Sequence, residues 1–230
     1  MIKDLKVVVL IPGRGNSKGI NRKNLLKYKG FTLIENAILN AKESAFVDEI
    51  YVNSDDIEIL DIARKYNVCI YKRDPILSRD DATANDVLAD FVNHFKNEKD
   101  YFIIYLQPTS PLRTTNHINS ICELLEKSVE NCAVSVTQID SRILKSFFIR
   151  KGKIVPISDE LFINKNRQDL PSVYEANGAL YIFLKSDFML AEKIPLHNAI
   201  PFVMDTADSI DIDSLEDYEN LLRREIDEQL

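Results

Sequence analysis

The sequence predicts an α/β fold: a mostly parallel sheet covered by helices on both faces. Three observations carry this. Short β-branched runs alternate with helical patterns through the first half of the chain. The strand-like runs are apolar throughout instead of alternating with polar residues, as strands buried on both faces are. A loop dense in glycine and cations, "IPGRGNSKGINRKN", follows the first of them directly, at the carboxyl edge where such sheets collect their ligands.

The elements follow in order. "LKVVVLI" reads as a strand, "TLIENAILNAKES" as a helix with apolar residues three and four apart, "DEIYVN" as a strand and "DIEILDIARKY" as a helix. Next come a short strand near "VCIY", a helix over "TANDVLADFVNHFK", the strand "YFIIYL", a helix over "INSICELLEKS" and the strand "AVSVTQI". Residues 140 to 175 break this rhythm. They carry a hairpin-like "RKGK" turn and then a stretch poor in helical period, so they are read as an excursion from the sheet that is functional or pairs with another chain. The chain returns with "ALYIFL", a short strand near "IPFVM", the strand "SIDID" and a last helix whose "SLED" fits a capping box at Ser214. One domain over residues 1–230, with 140–175 inserted in it, accounts for the whole.

Composition bounds the function. With 230 residues, 45% of them hydrophobic, the chain can bury a full core. A formal net charge of −7 argues against nucleic acid as partner, and against it the cations Arg14, Lys18, Arg22 and Lys23 mark a local anion site. Cys69, Cys122 and Cys132 are odd in number and widely spaced, which reads as buried thiols in a reducing compartment. The longest apolar runs are too short to span a bilayer, so a cytoplasmic protein without a membrane partner is expected.

Three stretches carry chemistry. Gly13, Gly15 and Gly19 fall as GxGxxxG, matching neither standard phosphate fingerprint. Glycine permits φ > 0 and close approach, and consecutive backbone amides in such a turn form an anion nest that Arg14 and Lys23 can close over. In "DSIDID", side chains two apart on a strand share a face, which aims Asp211 and Asp213 together and Ile210 and Ile212 into the core. Two neighbouring carboxylates beside a phosphate site point to Mg²⁺, although Asp213 is also placed to support the last helix. "LQPTSPLR" fixes its turn with two prolines and offers Gln107, Thr109, Ser110 and Arg113 at the sheet edge. Thr115 or Asn116 is expected to cap the next helix, and Asp55 or Asp56 the helix after "VNSDD". His94, His117 and His197 are scattered and none is expected to be catalytic.

Together with "RQDLPSVYEANGALYI", these motifs resemble the CMP-N-acetylneuraminic acid synthetase (acylneuraminate cytidylyltransferase) family, in family order and over nearly the whole chain. "LQPTSPLR" separates it from the related Kdo cytidylyltransferases, which carry a "QGDEP"-type turn there. The resemblance implies a Rossmann-like nucleotidyltransferase sheet with a protruding dimerisation arm, and an enzyme that joins CTP to a nonulosonic 2-keto sugar acid, releasing pyrophosphate. By motif, Arg14 and Lys23 would hold the triphosphate with the amides of Gly13 and Gly15, Asn24 the ribose, and Arg73 the cytosine. Thr83 would touch a phosphate, and Gln107 and Tyr181 the sugar. Lys145 and Arg167 would meet the sugar carboxylate from a neighbouring subunit, which implies a homodimer. Asp211 and Asp213 would hold Mg²⁺, making Arg14, Lys23 and Asp211 the catalytic set.

This chain departs from the family pattern at Glu175, where many relatives carry "RPNGAIYI", at the missing aromatic pair before "IPFVM", and at "DDATAND" around Thr83. Two other readings compete. A GT-A-type glycosyltransferase shares a nucleotide sheet and a carboxylate pair, yet has no role for the cationic loop. A non-catalytic nucleotide-binding homologue has no reason to keep Arg14, Lys23, Asp211 and Asp213 together.

Overall fold

The computed structural model describes residues 1–17, 19–96 and 98–227, so Lys18 lies outside the described residues. In chain order the strands are β1 Val7–Pro12, β2 Lys27–Tyr28, β3 Phe31–Thr32, β4 Glu49–Ser54, β5 Cys69–Lys72, β6 Phe102–Tyr105, β7 Cys132–Ile139, β8 Phe147–Arg150, β9 Lys153–Pro156, β10 Val173–Leu184 and β11 Ile200–Val203. The helices are α1 Leu33–Lys42, α2 Ile57–Lys65, α3 Ala84–His94, α4 Thr115–Glu126, α5 Lys185–Ala191 and α6 Leu215–Asp227.

Seven strands form the main sheet in the order β11-β7-β10-β6-β1-β4-β5. All neighbours are parallel except β10, which runs antiparallel between β6 and β7. The apolar continuity of the strands has the expected cause. In β1, Val7, Val9 and Ile11 enter a core shared with α1, α2 and α4, while Val8 and Leu10 enter a second core shared with α3 and α5. From β1 the chain first moves to β4 and β5 and then returns to β6 on the other side. The carboxyl ends of β1 and β6 therefore flank a topological switch point.

A third cluster ties the last part of the chain to this edge. Ile212 and Leu221 are buried with Tyr28 and Leu33, each side chain contributing about 1.5–3 kcal/mol by leaving water. The Ile212 amide donates to the Thr109 carbonyl at 2.9 Å, and the Tyr218 hydroxyl donates to the Lys27 carbonyl at 2.8 Å.

Several expectations need correction. "SIDID" is not a strand: its Ile212 amide serves the turn after β6 instead of a ladder. The alternation survives around Ile212, which is buried between half-buried Asp211 and exposed Asp213, while Ile210 is only half-buried. Thr114, not Thr115 or Asn116, caps α4, because its hydroxyl accepts from the His117 amide while the His117 ring accepts from its own. Cys69 is exposed, whereas Cys122 and Cys132 are buried. The capping box at Ser214 is present, with the Asp217 carboxylate accepting from both the Ser214 amide and hydroxyl.

The excursion is equally distinct. It starts with a short 3₁₀ turn at Ser141–Lys145, and β8 and β9 then pair only with each other. Lys151 and Gly152 take φ of 51° and 75°, the left-handed pair that a two-residue hairpin turn requires. Phe148, Ile149 and Ile154 stand exposed along it.

Candidate active site

Two cavities open at the carboxyl edge of the sheet and share Gln107 and Asp211 as a common wall. The first, of about 340 Å³, receives Arg14, Lys23, Asn24, Arg73, Thr83 and Asp213 from widely separated parts of the chain. The second, of about 360 Å³, is walled by Thr137, Glu175, Asn177, Tyr181 and Ser209.

The cationic loop is shaped by the protein's own acidic groups. The Gly15 amide donates to the Asp55 carboxylate at 2.9 Å, and the Gly13 amide donates to the Asn53 carbonyl at 2.9 Å. Those two amides are thus engaged within the protein, and neither Gly13, Gly15 nor Gly19 has positive φ; the left-handed residue of the loop is Arg22. The glycines serve close packing instead. A Cβ on Gly19 would stand 2.2 Å from the Asp213 carbonyl oxygen, so Gly19 lets the carboxyl-terminal segment lie directly against the loop. Asp56 caps α2 by accepting from the Glu58 amide, which assigns both aspartates of "VNSDD" to structure.

The remaining predicted residues converge. Lys23 Nζ reaches Asp213 Oδ1 at 2.9 Å across 190 positions of sequence. Arg14 Nη1 lies 3.2 Å from Asp80 Oδ1. The buried Asn24 amide donates to the Arg14 carbonyl at 3.0 Å, fixing the loop. Arg73 is buried and donates from Nε to Asn53 Oδ1 at 2.6 Å, and burial pulls its pKa down. Thr83 lines the cavity, but its hydroxyl donates to Asp86 as part of the capping box of α3.

The shared wall is held from below. Gly178, at φ 77°, sits where a Cβ would come within 2.8 Å of Gln107 Oε1 and 3.6 Å of Asp211 Oδ2. Arg113 is buried and donates from Nη1 to the carbonyls of Gln107 at 2.7 Å and Ala179 at 3.1 Å. Burial pushes its pKa down to about 9, partly opposed by the charge of Asp211. Burial likewise raises the Asp211 pKa, with Asp213 acting in the same direction and the Thr109 side chain and Lys23 opposing.

Lys145 and Arg167 lie in the excursion and line neither cavity. Lys145 donates to the Lys165 carbonyl, and Arg167 stands 3.6 Å from Asp140. Sequence reasoning missed Arg79, which adds another cation to the first cavity, and Asn177, which fixes the second by accepting from Ser135 and donating to Ser209. Asn177 was signalled by the "NG" dipeptide, a mark of local irregularity, here the break in the β10 ladder. Arg79 sits in an acidic loop without any such signal.

The chain is 29% identical over 223 residues to the pseudaminic acid cytidylyltransferase of Campylobacter jejuni subsp. jejuni serotype O:23/36 (strain 81-176), covering 94% of each chain. It is 29% identical to the N-acylneuraminate cytidylyltransferase of Streptococcus agalactiae serotype V, covering 93% of this chain and 52% of the other. It is 28% identical to the CMP-N,N'-diacetyllegionaminic acid synthase of Legionella pneumophila, covering 93% of this chain and 94% of that one. In fold it superposes on a CMP:2-keto-3-deoxy-manno-octonic acid synthetase solved with CTP, with a TM-score of 0.71 at 17% identity, over 98% of this chain and 100% of the other. The cytidylyltransferase family model matches residues 8–229, and the chain belongs to that family.

Proposed function

We propose that this cytidylyltransferase condenses CTP with a nonulosonic acid, giving the CMP-sugar and pyrophosphate. The observation that carries the reading is the Lys23–Asp213 contact of 2.9 Å, which joins the cationic loop to the paired carboxylates at the rim of one cavity. The nucleotide fits the first cavity, whose lining includes Arg73, which would read the base, and Arg14, Lys23 and Arg79, which would supply positive charge for the phosphates. The sugar fits the second, and the reacting atoms meet at the wall formed by Gln107 and Asp211.

The anomeric 2-hydroxyl of the sugar attacks the α-phosphorus in line, forming one P–O bond as the bond to pyrophosphate breaks. Lys23 and Arg14 hold the charge that develops on the phosphate oxygens and the leaving group. Both cations are already paired with carboxylates, so engaging the triphosphate means exchanging one anion for another. Asp211 and Asp213 suit Mg²⁺: Asp211 Oδ1 is buried without a hydrogen-bond partner among the described residues, and this ion takes one or two carboxylates plus substrate phosphates. Held by Asp211 and Asp213, it would supply positive charge against the developing anion and lower the pKa of the attacking hydroxyl.

Homodimerisation belongs to the same reading. The sugar is itself an acid, yet the second cavity holds the carboxylates of Glu175 and Asp211, and among the described residues no Lys or Arg lines it. The excursion of a second copy, carrying Lys145 and Arg167, would supply the missing cation. No helix among the described residues is long and apolar enough to cross a membrane. The three free cysteines fit a cytoplasmic setting.

The test is pyrophosphate release from CTP, Mg²⁺ and a panel of nonulosonic acids. Turnover with at least one is expected. Silence across the panel from folded protein would refute the reading.

A further inference from the structure

The second cavity contains a group that the proposed reaction leaves without a task. Glu175 lies on β10 opposite Thr137 of β7, one residue before the ladder breaks at Ala176/Tyr181. Its side chain is on the cavity wall with Thr137, Asn177, Tyr181 and Ser209. The other carboxylate of this cavity, Asp211, has the positive charge of Lys23 on the nucleotide side and of buried Arg113 beneath the wall. Glu175 has no such neighbour: among the described residues, no hydrogen bond or ion pair reaches its carboxylate.

The nearby neutral groups do not answer it either. The Asn177 amide donates to Ser209 and its oxygen accepts from Ser135, leaving this side chain committed to the protein. Whatever part of the sugar rests on this wall therefore meets an anion without a counter-charge from the same protomer. An acyl carbonyl placed there brings one acceptor against another. A cationic nitrogen satisfies both the charge and the lone pairs.

We propose that Glu175 is a specificity-determining residue of the acceptor cavity, selecting a nonulosonic acid that presents a protonated amine or amidine to it instead of an N-acyl group. The inference rests on the cytidylyltransferase reading above and names the substrate class for that same site. Because Glu175 is exposed before the sugar covers it, the preference is modest, about two- to fivefold, as for ion pairs near water.

The experiment measures kcat/KM with CTP, Mg²⁺ and matched pairs of nine-carbon 2-keto sugar acids. The members of each pair differ only in a free amine or an acetamide, at each nitrogen-bearing carbon in turn. The wild-type protein is expected to favour the amine at one of these carbons. Glu175→Gln should abolish that preference by slowing the amine alone, and Glu175→Lys should reverse it, while the KM for CTP stays put. An exposed carboxylate outside any helix cap leaves little reason for either variant to misfold, and light scattering checks that each remains in the wild-type oligomeric state. A wild-type protein that prefers the amine at none of the nitrogen-bearing carbons, or an equal loss on both members of every pair in Glu175→Gln, would overturn the proposal. Pyrophosphate from none of the acids would instead overturn the function reading, and this inference with it.

Discussion

The carboxyl edge of the main sheet and the β8–β9 hairpin are built on opposite terms. At the edge, the functional segments rest on buried groups: Asn24 under the loop, Arg113 under the Gln107 backbone, and Ile212 between the two aspartates. On the hairpin, apolar residues face outward and the strands have only each other. The edge is positioned by the protomer's own core. The hairpin has no such core beneath its exposed residues, and the contrast can be tested from both sides.

The largest effect is expected at the wall itself. Asp211→Ala should reduce turnover by at least ~10² to 10³, the cost typical of losing a fixed electrostatic contact to the transition state, with circular dichroism unchanged. A fully active variant would remove Asp211 from the reaction. Next in size, Arg113→Met should lower stability in urea by roughly 2–3 kcal/mol, because the Gln107 and Ala179 carbonyls lose a buried donor. An unchanged midpoint would show that the wall is held by other means.

Glu35, at the start of α1, gives a smaller, pH-dependent effect. Burial alone would raise its pKa, but hydrogen bonds from Thr32, Lys65 and Tyr66 outweigh it and hold the carboxyl at about 2. Depression in the folded state means that the stabilisation is complete above the unfolded value of about 4.3 and disappears as pH falls towards 2. Glu35→Gln should therefore flatten the acid side of the stability curve between those values. An identical acid slope would place the proton uptake elsewhere.

The smallest change in protomer stability is expected on the hairpin. Ile149→Ser should shift it by less than about 0.5 kcal/mol, since the side chain is 81% exposed, yet weaken self-association in sedimentation. Unaltered association would argue that the hairpin serves another partner.

The same contrast explains what could be read from the sequence. Strands buried on both faces announce themselves, which is why β1, β4, β6 and β7 stand where their apolar runs predicted. The antiparallel direction of β10 was not legible, because "ALYIFL" has the same apolar character whichever way it runs. The short α5 went unnoticed between "ALYIFL" and "IPFVM". "SIDID" was mistaken for a strand because alternation appears in any extended segment, and only its backbone partner, the Thr109 carbonyl, decides the matter. At the site, residue types foretold the convergence of Lys23 with Asp213. They did not foretell that the amides of Gly13 and Gly15 would be occupied by the protein itself, since Asp55 looked like a helix cap.

The Lys23–Asp213 contact has a consequence for how the molecule comes into being. Because it bridges 190 positions, a polypeptide emerging from the ribosome carries only the cationic half of the proposed triphosphate grip until residue 213 has been made. We expect products terminated before residue 213 to be inert toward CTP, so that catalytic competence waits on the arrival of this later segment.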